Sequence, residues 1–137
     1  MDRDVIEKKL ESLRRCVKRI EAKCPADAQT LADDPDLQDI VALNLSRAVQ
    51  VCVDIGAHLI SGMDQTAPDT MGQVFDVLAQ SGVLTPALSS RLKKAVGFRN
   101  IAVHSYEAIN WHIVHSIAKR HLVDFSEFAK VIATKCA

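Results

Sequence analysis

No apolar run in the chain approaches the roughly 20 residues that a membrane span needs. The opening residues, MDRDVIEKKLESLRR, are charged from the start and hold no signal-peptide core. A cytoplasmic location without membrane contact is therefore expected. Cys16, Cys24, Cys52 and Cys136 form no CxxC pair and no zinc-finger spacing. They read as reduced thiols, with Cys52 a small core residue inside an apolar stripe. Net charge is also lacking, since 17 Lys and Arg balance 17 Asp and Glu. That balance argues against a strong nucleic-acid binder on charge alone. No stretch alternates with period two over a useful length, so no sheet is expected. Internal repeats and low-complexity segments are missing as well.

What remains is 137 residues of ordinary globular composition, 48% hydrophobic and 25% charged, which suggests one domain over residues 1–137. The neutral total hides an asymmetry. Residues 1–81 carry 9 Lys and Arg against 14 Asp and Glu, a net of 9 − 14 = −5. Residues 82–137 carry 8 against 3, a net of 8 − 3 = +5. The basic half can steer a polyanion, or it can simply pair with the acidic half.

Helical spacing dominates. Ile6, Leu10, Leu13, Val17, Ile20 and Cys24 make one buried stripe, which ends at Pro25. ADAQTLADD reads as a loop. Asp34-Pro35 is an N-cap followed by proline at the first helical position, and a long second helix runs to about Gly62. Asp69 or Thr70 caps a short third helix closed by Gly82, and Thr85-Pro86 opens a fourth with Leu88, Leu92, Ala95 and Val96 inward. Asn110 caps a fifth, with Val114, Ala118, Leu122, Phe125, Ala129 and Ile132 inward. The expected fold is all-α: an antiparallel four-helix bundle with one additional short helix.

The fourth helix closes on FRNIAVHSY, Phe98 to Tyr106. Arg99 ends an otherwise apolar stripe, and a buried arginine needs a carboxylate or a phosphate. Asp54, the acidic residue in the apolar middle of the second helix, is the internal partner the pattern suggests. Chemically the set suits phosphodiester work without a metal or other cofactor. Arginine grips phosphate with a planar fork, and histidine moves a proton near neutrality. Asn100 can donate to a phosphate oxygen or hold the histidine. In an unbroken helix, however, His104 lies roughly 140° around the axis from Arg99. The two converge only if the chain leaves the helix between them or a second copy completes the site. On these residues alone, a capped helix end with a surface histidine and tyrosine stands as the other reading.

FRNIAVHSY, with Arg99-x4-His104-x-Tyr106, resembles the signature of the HepT-like toxins of the HEPN superfamily. NLSRAVQVCVDIGAHLIS, Asn44 to Ser61, resembles that family's second helix. Phe75 through Leu78 to Gly82-Val83-Leu84 resembles its third helix and turn. The resemblance implies a metal-independent endoribonuclease acting on RNA as a homodimer, the toxin of a two-gene toxin–antitoxin module. It implies Arg99 and His104 as the catalytic pair, Asn100 as polar helper and Asp54 as orienter of Arg99. Its antitoxin would be a minimal nucleotidyltransferase that modifies Tyr106 with AMP. A second function class remains: a non-catalytic accessory subunit that binds nucleotide or docks onto a nucleotidyltransferase. His112 and His115 have possible metal-ligand spacing but no third ligand, so no metal site is expected. Trp111 can stack a base or pack beside the helix cap.

Overall fold

The computed structural model describes residues 2–136. Its helices are α1 (Arg3–Lys23), α2 (Ala28–Asp33), α3 (Pro35–Ser61), α4 (Met71–Gln80), α5 (Pro86–His104), α6 (Trp111–Arg120) and α7 (Leu122–Lys135), with a 3-10 turn at Tyr106–Ala108. Among the described residues there is no strand, and the all-α expectation is borne out. The caps follow the local chemistry. Asp34 Oδ1 accepts from the backbone N–H groups of Asp36 and Leu37 ahead of α3. Thr70, not Asp69, caps α4 through Gln73 N–H, while Thr85 and Asn110 cap α5 and α6. Gly82 adopts φ +78°, the left-handed conformation that closes a helix, and Val83 N–H then reaches back to the Leu78 carbonyl at 2.9 Å.

Two elements differ from the periodicity reading. ADAQTLADD is not all loop: six of its residues form α2. So short a helix holds one buried apolar residue, Leu31, and one anchor cannot display a period. Gln38 Nε2 donates to the carbonyls of Leu31 and Ala32 and so satisfies the end of this helix. The fifth helix is two, α6 and α7, parted at His121. The apolar stripe Val114, Ala118, Leu122, Phe125 continues across the break with spacings of 4, 4 and 3, so nothing in it marks the joint. Phe128 is fully buried instead of Ala129 and meets Phe75 edge to face at 6.2 Å.

The long helix α3 touches every other helix. By length and composition it is apolar enough to cross a bilayer, yet 56% of that window is buried within the molecule. At Gly56 it meets α4 closely: a Cβ there would stand 2.5 Å from Val74 Cγ1. Cys52 lies fully buried on α3 beside Cys16, and burial first, then the neighbouring thiol, pushes its pKa well up, so it stays a neutral thiol. Contacts of Asp2 with His58 and of Lys9 with Asp54 lay α1 antiparallel to α3. Contacts of Arg99 with Gln50 and of Tyr106 with Asp39 do the same for the end of α5.

Candidate functional site

The end of α5 contributes little to the core, with Phe98 alone packing against it as a partly buried large side chain. Leu88, Leu92 and Val96 are its last buried apolar side chains, and nothing from Gly97 to His104 is buried. The helix nevertheless runs unbroken through His104 and ends at Ser105, whose N–H reaches the Ile101 carbonyl at 2.8 Å. The break therefore falls after the histidine, not between it and Arg99. Within one chain the two side chains keep roughly the 140° separation of five helical steps.

Arg99 is half-buried and turned toward α3. Its Nη2 donates to Gln50 Oε1 at 3.3 Å and its Nη1 to Asn100 Oδ1 at 3.4 Å. Asp54, expected to pair with Arg99, does not touch it. Asp54 Oδ1 instead accepts from Gln50 Nε2 at 2.9 Å, and Oδ2 lies 3.5 Å from Lys9 Nζ. The reason is helical spacing. Gln50 precedes Asp54 by one turn on α3, and its amide reaches both the guanidinium and the carboxylate, donating one way and accepting the other. Gln50 was not singled out from sequence, and the only signal was its place four residues before Asp54.

Asn100 precedes His104 by four residues and so shares its stripe while also touching Arg99. The His104 imidazole is exposed and makes no hydrogen bond among the described residues. Beyond it, Tyr106 lies in the 3-10 turn. Its hydroxyl donates to Asp39 Oδ1 at 2.5 Å, and its ring meets Trp111 edge-on at 5.7 Å. Burial, then the hydrogen bond to Asp39, then the charge of that carboxylate hold the phenol proton well above its ordinary range. Asp39 and Gln50 are eleven residues apart on α3, about 16 Å of helix rise. The two polar contacts thus bracket one strip of surface between α3 and the end of α5.

On the opposite side of α5 lies a cleft of about 620 Å³ shared with α6 and α7. Phe98, Ile101, Ile113 and Phe125 line it, together with Lys94 and the buried Asp124. Asp124 is held by Arg91 Nε at 2.8 Å. Ile101 and Ile113, which both line this cleft, are 45% and 57% exposed and form an apolar surface left uncovered by this chain, while Val103, two helical positions on from Ile101, is 52% exposed on another face. The two histidines of α6 part company: His115 Nε2 bonds the Pro25 carbonyl at 2.8 Å and pins the turn after α1, while His112 is exposed. Of the basic residues, Lys93 is paired with Asp76 at 3.0 Å and Lys119 leans on the Cys24 carbonyl, whereas Lys94 and Arg120 are exposed.

A family model described as Ribonuclease HepT-like matches residues 4–132. Over 129 residues the chain is 40% identical to the mRNA nuclease HepT of Shewanella oneidensis, covering 94% of this chain and 96% of that protein. A solved structure of the tri-AMPylated Shewanella oneidensis HEPN toxin in complex with MNT antitoxin matches with a TM-score of 0.90 at 40% identity, over 98% of this chain and 99% of that one. A crystal structure of a toxin–antitoxin with AMP-PNP matches with a TM-score of 0.90 at 39% identity, over 96% and 98% of the two chains.

Proposed function

The chain belongs to the HepT-like ribonuclease family, and from that premise we propose that it is the RNA-cleaving toxin of a toxin–antitoxin pair, with Arg99 and His104 as its catalytic pair. The observation that carries this reading is the uncovered end of α5. It presents an arginine anchored by Gln50, an amide bridging toward the histidine stripe and an imidazole with no internal partner. His104 takes the proton of a ribose 2′-hydroxyl as that oxygen attacks the adjacent phosphorus. The 5′-oxygen then leaves with a proton given by the protonated imidazole, and a 2′,3′-cyclic phosphate remains. Arg99 and Asn100 hold the phosphate oxygens, where charge builds in the transition state. Asp54 acts through Gln50, orienting the arginine. None of these steps requires a metal ion.

The active unit is a homodimer. An isologous contact over the apolar surface of Ile101 and Ile113 would place the same residues opposite one another, so that two copies of the motif share one site. This removes the divergence of Arg99 and His104, because each can work with its counterpart on the second copy. The second partner is a nucleotidyltransferase antitoxin that transfers AMP to Tyr106. An added phosphate there brings negative charge beside the strip that ends at Arg99, repelling RNA or occupying the guanidinium.

Expression in a host without the antitoxin tests the reading. The wild type should stop growth, and purified protein should cut RNA in chelator, leaving 2′,3′-cyclic ends. Harmless expression and inert purified protein would leave the accessory-subunit reading in its place. Activity lost in chelator and restored by a divalent cation would overturn the metal-free mechanism.

A further inference from the structure

Tyr106 is the only tyrosine of the chain; the residue is 39% exposed, and its hydroxyl is held by a carboxylate. The holding group is Asp39, in the second turn of α3. We propose that the Asp39 carboxylate is the general base for AMP transfer onto Tyr106. The assignment rests on the reading of Tyr106 as the AMP acceptor given above and adds the group that makes its hydroxyl a nucleophile.

The hydroxyl donates its one proton to Asp39 Oδ1, so the path for that proton is already formed and the oxygen lone pairs face away from the carboxylate. Asp39 makes no other hydrogen bond or ion pair among the described residues, so the carboxylate is not committed elsewhere. The edge-on contact with Trp111 fixes the ring that carries the hydroxyl. The other charged or titratable groups nearby are Glu107 on the same turn, Asp36 one turn back on α3 and His112 on α6. None of them bonds the hydroxyl.

A base is needed because the phenol proton is held more firmly than usual, first by burial and then by Asp39 itself. Almost no phenolate is present near neutrality. The proton must leave as the new bond forms. The step balances as follows. Tyr106 Oη attacks the α-phosphorus of a nucleoside triphosphate held by the transferase. The Oη–P bond forms, and the bond from that phosphorus to the bridging oxygen of the β-phosphate breaks. Pyrophosphate departs, and the phenolic proton passes to Asp39 and then to water. Nothing is oxidised or reduced.

The test is the rate of AMP incorporation into the intact chain, measured with saturating transferase and ATP across pH for wild type, Asp39→Asn, Asp39→Glu and Tyr106→Phe. Wild type should incorporate AMP at a rate that is level through neutrality. Asp39→Asn should lose about 100-fold or more at neutral pH. Its residual rate should climb about tenfold per pH unit, because solvent hydroxide must then prepare the phenolate. Asp39→Glu should recover part of the loss. Incorporation by Asp39→Asn at the wild-type rate and with the wild-type profile would overturn the assignment. So would a deficit confined to sub-saturating transferase, which would make Asp39 a docking contact. Equal labelling of wild type and Tyr106→Phe is a different failure: it would remove Tyr106 as acceptor and take the role of Asp39 with it.

Discussion

The two halves of α5 obey the same helical geometry and serve different ends. From Pro86 to Val96 the helix turns Leu88, Leu92 and Val96 inward, and Ser89 Oγ donates to the Phe75 carbonyl at 2.8 Å, tying the helix to α4. From Gly97 to His104 no side chain is buried, and two large apolar residues, Ile101 and Val103, stand in the open. The first half holds the fold together. The second is carried by the first, contributes little to it, and is free to present chemistry. Stability and activity should therefore separate at about Gly97.

Arg99→Ala and His104→Ala make the sharpest test. RNA cleavage should fall by about 10²–10³-fold for the arginine and about 10²–10⁴-fold for the histidine. The thermal midpoint should hardly move, as read by circular dichroism. A large loss of stability in either variant would break the division. Leu92→Ala tests the other half. It should cost about 2–5 kcal/mol in denaturant unfolding, with specific activity of the folded fraction preserved.

A smaller effect is expected at Gln50→Ala. Removing a hydrogen bond to a charged group leaves Arg99 less well oriented, and cleavage should drop about tenfold. Replacing Asp54 with Asn should do less, because it reaches Arg99 only through that amide. Gly97→Ala asks what covers the boundary. A Cβ there meets nothing within 4 Å in one chain. Helix propensity alone should then raise stability by about 1 kcal/mol. If a second copy packs on this face, the gain should shrink and the dimer should weaken in sedimentation.

The mildest expectation is spectroscopic. With one tyrosine in the chain, ultraviolet absorbance reports Tyr106 alone. Its titration should lie above the ordinary value of about 10. A raised folded-state pKa means that the phenol's contribution to stability is whole below that ordinary value and fades as pH climbs through the folded one. Asp39→Asn should bring the titration part of the way back, since burial remains.

Much of this was legible beforehand. Spacing and caps placed α1, α3, α4 and α5, and the resemblance carried by FRNIAVHSY is borne out as family membership. The misses share a cause. Six residues with only Leu31 buried cannot show a period, and the joint at His121 interrupts no stripe. The partners of the site side chains were hidden for another reason. Gln50 meets Arg99 across 49 positions of sequence, and Asp39 meets Tyr106 across 67. Such pairings depend on how α3 lies along α5, and helical periodicity says nothing about that register.

The contact of Tyr106 with Asp39 also sets an order of events. A phenol esterified as proposed would have no proton to give, and the carboxylate would face an anion where it had faced a donor. Like charges at that distance push the modified arm off α3. One solved toxin similar to this chain is tri-AMPylated; a further unit joined onto a first AMP at Tyr106 would attach to a hydroxyl of that nucleotide. That hydroxyl lies a full nucleotide beyond the reach of Asp39. Under the roles proposed for Tyr106 and Asp39, priming and extension of such a chain would answer to different proteins: the Asp39 carboxylate would govern whether modification begins, and the transferase alone how far it runs.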